Sequence, residues 1–250
     1  MDEDNTTLEQ AGTLAVITLN RPNKANALSP AMRASLQRHL DQVAADERVD
    51  TVLLQAAGPA FCGGLDLGDL PQTPMDWRKR VLAAQANHLA VLRMPKVVIA
   101  AVQGAVVGGG ASLALSADIL VMADNAHLAF PFVRLGIVPD GGSSCFLQAK
   151  LGVAVATDLL LTGGRIEAAE AARLGLTRRI VPAAELATEA RRLAAQLQAL
   201  PAEARALTKS LARQYWAERL DAILAHEADA FGYATATPGH QAALARLPQR

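Results

Sequence analysis

Apolar and polar positions along the chain follow two different textures. Up to about Val181, short runs that are apolar throughout are separated by stretches of helical periodicity and by glycine and proline. Residues 13–19, 51–57, 96–102, 118–123 and 178–181 have the length and composition of strands. Between them, Pro30–Ala45, 74–92 and 110–117 carry helical spacing. Strands that are apolar on both faces and alternate with helices predict parallel pairing with both sheet faces covered, an α/β core. From Pro182 the strand pattern stops. Residues 183–200, 201–216 and 218–230 read as consecutive helices, with Pro182 and Pro201 at their starts. The division falls into a core over residues 1–181 and a helical region over residues 182–250. The second part is too short to form a comfortable domain alone, so it is expected to pack on the core or on a neighbouring subunit.

Composition narrows the function classes. Lys+Arg and Asp+Glu both number 24, a zero formal charge without the basic excess of a nucleic-acid surface. Cys62 and Cys145 are far apart in sequence and read as reduced thiols serving as small core residues. The acidic start Met1-Asp2-Glu3-Asp4-Asn5 is unlike a signal or transit peptide. The apolar stretch 97–107 is interrupted by Gln103 and Gly104, too soon for a membrane span. A soluble cytoplasmic protein is expected. The five histidines have no metal-ligand spacing, so no metal site is expected.

Three segments carry candidate chemistry. Cys62-Gly63-Gly64-Leu65-Asp66-Leu67 follows the strand at 51–57, and its paired glycines allow a ligand to approach main-chain N–H groups. Alone, it reads as an ordinary strand-to-helix turn. Gly108-Gly109-Gly110 lies between a buried strand and a short apolar helix, whose start favours an anion or developing oxyanion. The dinucleotide fingerprint fails there because Leu113 stands where a third glycine is needed, and the P-loop fails because Gly110 replaces its lysine. A hydrolase elbow around Ser112 lacks its last glycine. Asp140, in Val138-Pro139-Asp140-Gly141-Gly142, reads as a turn or helix-capping aspartate, or as a general base tuned by burial.

In this order the segments resemble the crotonase (enoyl-CoA hydratase/isomerase) superfamily. The resemblance runs from Leu14 to about Arg246, beginning with a loop Asn20-Arg21-Pro22-Asn23-Lys24-Ala25-Asn26-Ala27-Leu28 and including Leu161-Thr162-Gly163-Gly164-Arg165-Ile166. It implies a ββα spiral with a C-terminal helical trimerisation region. It also implies coenzyme A esters as substrates, with no permanently bound cofactor, and a homotrimer or dimer of trimers. The family's two main-chain donors to the thioester oxygen fall on Leu65 and Gly109. Lys24, Ala25 and Ala27, with Gly63, Gly64, Asp66 and Leu67, fall where the coenzyme A arm is held, and Gly108 and Phe132 join them as substrate contacts.

The departures from the family pattern select among its reactions. The two glutamates that handle water in hydratases fall on Ser112 and Phe132, neither of which is acidic. The position of the isomerases' single acid falls on Asp140, which is filled. The resemblance therefore implies a double-bond isomerase with Asp140 as base. Hydratase-like chemistry, an aryl-CoA-acting enzyme using Asp140 as nucleophile, and a non-catalytic acyl-CoA-binding scaffold are the alternatives.

Overall fold

The computed structural model describes residues 5–68 and 70–247. The chain opens with an antiparallel hairpin, β1 (Thr6–Ala11) and β2 (Leu14–Leu19), turning at Gly12 with φ of 61°. β2 then pairs in parallel with β3 (Thr51–Ala56), and β3 with β4 (Val97–Val102). Parallel pairing continues through β6 (Ile119–Ala123) to β9 (Ile180–Val181), giving the order β1-β2-β3-β4-β6-β9. β4 is buried at every position, as an apolar run covered on both faces requires. The expected parallel α/β core is therefore present, with an antiparallel edge strand that the sequence pattern does not single out.

A second sheet was also not anticipated. β5 (Ala105–Val107), β7 (His127–Ala129) and β8 (Arg165–Glu167) are three residues each, too short to leave a periodic signature. β5 matters most, because it carries the chain from β4 into the triple glycine.

Helices follow their local signals where a cap or breaker is present. α1 (Pro30–Ala45) starts as expected, with Pro30 in its first turn and the Ser29 hydroxyl accepting the Met32 N–H at 3.1 Å. α2 (Pro74–Arg93) is capped in the same way by Thr73. α3 (Gly109–Ser116) is short and wholly buried. α4 (Ser143–Thr162) continues through Gly152, which absorbs a kink (φ 78°, ψ 164°) before helix resumes. By length and composition α4 could cross a membrane, but the kink leaves two pieces each well short of a span. After α5 (Ala168–Arg173), Pro182 begins only a 3-10 turn, followed by α6 (Leu186–Gln198). The two helices expected at 201–216 and 218–230 are one, α7 (Ala202–Thr235), followed by α8 (Pro238–Ala245). The reason is simple: between Ala202 and Phe231 there is no glycine or proline to end it.

Candidate active site

The two glycine-rich segments touch through their backbones. β5 and the first glycine-rich segment are joined by a parallel bridge in which Cys62 N–H donates to Ala105 O (3.0 Å) and Val107 N–H donates to Cys62 O (2.8 Å). Gly64 then lies against Val107: a Cβ there would stand 2.7 Å from the Val107 carbonyl oxygen, and φ is 86°. Only glycine fits both demands. Gly110 is equally constrained, since a Cβ would fall 2.6 Å from the Cys62 sulfur. Cys62 is thus a packing residue, its thiol pushed up to about 11 by burial.

Hydrogen bonds on the preceding carbonyls orient the two expected donors. Gly64 O accepts from Leu28 N–H at 2.7 Å, so across the trans peptide the Leu65 N–H points away from Leu28. Gly108 O accepts from Ser112 N–H at 3.0 Å inside α3, so the Gly109 N–H points out of the helix start. The loop ahead of α1 is fastened to the same place. Gly63 N–H donates to Ala25 O at 2.8 Å. Asn26, fully buried with φ of 52°, donates to Ala57 O and Ala60 O at 2.9 Å each. Ala27 O and the Asp66 carboxylate both accept from Arg21, at 3.1 and 2.9 Å, and Asp66 also accepts the Gly68 N–H. The Asp66 side chain is thus occupied in holding the loop. Lys24 and Ala25 are exposed, and Ala27 and Leu67 are partly so.

Asp140 faces Gly109. Where a Cβ on Gly109 would stand, Leu28 Cδ1 is 3.4 Å away, Arg33 Nη2 3.6 Å and Asp140 Oδ1 3.9 Å. Asp140 is buried and its Oδ1 has no hydrogen-bond partner among the described residues. It caps nothing: the residue preceding α4 is Gly142, and the Asp140 main-chain oxygen, not its carboxylate, accepts from Ser143. Burial raises its pKa, against the opposing pull of the Arg33 charge. Phe132, in the 3-10 turn Pro131–Leu135, is buried with Cε1 3.7 Å from a Cβ placed on Gly108.

A model of the family described as enoyl-CoA hydratase/isomerase matches residues 9–246. The chain belongs to that family. As an enoyl-CoA hydratase/isomerase family member it is an enzyme whose family acts on acyl-CoA thioesters. It is 31% identical over 246 residues to the short-chain-enoyl-CoA hydratase of Clostridium acetobutylicum, covering 98% of this chain and 94% of that protein. Its fold matches the crystal structure of an enoyl-CoA hydratase from Mycobacterium avium subsp. paratuberculosis with a TM-score of 0.90 at 27% identity, over 98% of this chain and 99% of that one. The enoyl-CoA hydratase from Bacillus halodurans matches equally well, with a TM-score of 0.90 at 26% identity, over 97% and 100% of the two chains. The crotonase fold and the C-terminal helices expected from the sequence are both present.

Around Gly109, Asp140 and the glycines that follow it, three buried polar residues lie outside the sequence motifs. His88 on α2 packs against Gly141, whose φ is 64° and where a Cβ would fall 2.3 Å from the imidazole. Burial and then the Arg33 charge press the His88 pKa down to about 3, so the ring is neutral. Glu227 on α7 accepts Gly142 N–H at 2.8 Å and the Ser144 hydroxyl at 2.5 Å, and burial lifts its pKa to about 7. Arg33 on α1 is the third. Each interrupts an apolar stripe at helical spacing: Arg33 with Leu36 and Leu40, His88 with Val81 and Ala84, Glu227 with Leu220, Leu224 and Phe231. That interruption is the signal that could have found them.

Proposed function

We propose that this enzyme moves the double bond of a 3-enoyl-CoA thioester to the 2-position, with Asp140 as its single base. The observation that carries the reading is the buried, unpartnered Oδ1 of Asp140 facing Gly109. The thioester oxygen would accept from the Leu65 and Gly109 N–H groups. Asp140 takes the proton from C2, the electron pair moves onto the thioester oxygen as a dienolate, and the same carboxylic acid returns the proton at C4. Fixed donors at the developing oxyanion commonly contribute about 3–4 kcal/mol. The main chain of Gly63, Gly64, Asp66 and Leu67, with Ala25, Ala27 and the Lys24 ammonium, would hold the coenzyme A arm. Gly108 and Phe132 would border the acyl group.

What separates this reading from hydration is the absence of a water-handling acid at the two family positions. The Ser112 hydroxyl is committed to main-chain carbonyls, and Phe132 offers only a phenyl ring. Glu227 is no substitute, since both of its oxygens already accept hydrogen bonds. Exposed Leu207 and Leu211 on α7 are in keeping with the implied homotrimer or dimer of trimers, which sedimentation tests directly.

The test compares hex-3-enoyl-CoA isomerisation with crotonyl-CoA hydration. Wild type is expected to isomerise and to hydrate poorly, and Asp140→Asn to lose about 10²–10⁴-fold in kcat while still binding coenzyme A esters. Rapid hydration of crotonyl-CoA by the wild type would overturn the proposal. Binding without turnover of any enoyl-CoA would point to a scaffold.

A further inference from the structure

Around the position that a Cβ on Gly109 would take stand three side-chain atoms: apolar Leu28 Cδ1, a carboxylate oxygen of Asp140 and Nη2 of the Arg33 guanidinium. Arg33 is the unexpected one. It rises from α1, its residue only 8% exposed, and its Nε and Nη1 are buried without a hydrogen-bond partner among the described residues. The Asn87 amide donates to the Arg33 carbonyl at 3.1 Å, holding the backbone beneath it. His88 cannot serve as counter-ion, because burial keeps its ring neutral.

Guanidinium donors kept out of water and unpaired are costly, and a nearby carboxylate that does not bond them only partly offsets that cost. Asp140 is such a carboxylate, its own Oδ1 without a hydrogen-bond partner among the described residues. A planar guanidinium with open donors matches a ligand carboxylate in shape as well as charge. We propose that Arg33 binds a carboxylate at the far end of the acyl group, so that this enzyme acts on short dicarboxylic acids carried as mono-thioesters of coenzyme A. Arg33 Nη2 lies close to the glycine whose N–H is assigned to the thioester oxygen, so few bonds separate the two ends. Because C4 must be a carbon other than the carboxyl carbon, covalent dimensions then favour acyl groups of roughly five to six carbons. The inference rests on the thioester placement proposed above, not on the identity of the base.

The decisive experiment is calorimetric binding of glutaryl-CoA and pentanoyl-CoA, equal in chain length and differing by a carboxylate for a methyl, to the full-length enzyme. Wild type is expected to bind glutaryl-CoA at least about tenfold more tightly. Arg33→Met should bring the two affinities together, and Arg33→Lys, which keeps a point charge without the fork, should retain part of the difference. Each variant supplies its own ratio, so a general loss of stability cancels, and the wild-type ratio stands if Arg33→Met does not fold. Equal or weaker binding of glutaryl-CoA by the wild type overturns the proposal. So does an equal weakening of both thioesters in Arg33→Met, which would place Arg33 on the part they share. Either result leaves the isomerase reading standing if hex-3-enoyl-CoA is still turned over, whereas binding of neither thioester overturns both.

Discussion

The Ser112 hydroxyl lies 3.0 Å from the main-chain carbonyl oxygen of Asp140 and donates its proton there, with the Gly108 carbonyl a longer alternative at 3.3 Å. Ser112, which by resemblance falls at the family's first water-handling position, is thus a clamp on the loop that carries the proposed base. Ser112→Ala removes that clamp and leaves a buried carbonyl with one partner fewer. The expected cost is about 1 kcal/mol of stability, with kcat for a 3-enoyl-CoA reduced about tenfold and KM little changed. Urea unfolding and steady-state kinetics check both numbers, and an unaltered kcat would show that Ser112 does no more than fill space.

Gly64→Ala tests the junction of the two glycine segments. The new methyl would sit 2.7 Å from the Val107 carbonyl oxygen, at a φ of 86° that side chains rarely adopt. Neither strain relaxes without moving backbone. The variant should lose about 2–4 kcal/mol in stability and more than about 100-fold in kcat/KM, because Leu65 and Gly109 are displaced relative to one another. A variant with wild-type melting temperature and activity would contradict the assigned donors.

The pH profile reports on Asp140. Proton abstraction needs the carboxylate, so kcat/KM should fall as pH drops through its pKa, which burial holds above the ordinary 3.8. Arg33 is the opposing influence, favouring the charged form. Arg33→Met should therefore move the acidic limb for an uncharged 3-enoyl-CoA to higher pH. A limb that stays in place, or moves down, would mean that the two charges do not communicate.

Glu227 makes a prediction about stability rather than rate. Its folded pKa of about 7 exceeds the ordinary 4.5, so the folded protein holds this proton more tightly than the unfolded chain. The stabilisation is complete below about 4.5 and is lost as pH rises through 7, a decline on the order of 3 kcal/mol. Glu227→Gln cannot lose a proton. Its stability relative to wild type should improve by that order between pH 4.5 and pH 8, measured by urea unfolding at both. A constant difference would mean that Glu227 is ionised throughout.

Much of the frame was legible because local signals are strong where a covalent constraint backs them. Ser29 and Pro30 start α1, Thr73 and Pro74 start α2, and the apolar runs from Leu14 to Val102 form central parallel strands. The errors fall where no such constraint acts. The three-residue strands around β5 are too short for periodicity, and α7 continues through residue 217, where no breaker stands.

For the site, the sequence determined which backbone positions must be glycine, because Gly64, Gly110 and Gly141 are excluded from every alternative by close contact or by φ, and a glycine pattern is visible in any linear string. It also determined that Ser112 and Phe132 are not acids and that Asp140 is one. What only the tertiary structure decided is what those residues face. Asp140 is separated from Arg33 by more than a hundred residues, from His88 by over fifty and from Glu227 by over eighty, and no local rule relates them. Burial and Coulomb interactions depend on distance in space. The raised carboxyl of Asp140, the neutral ring of His88 and the open guanidinium of Arg33 exist only once α1, α2, α3 and α7 are packed together.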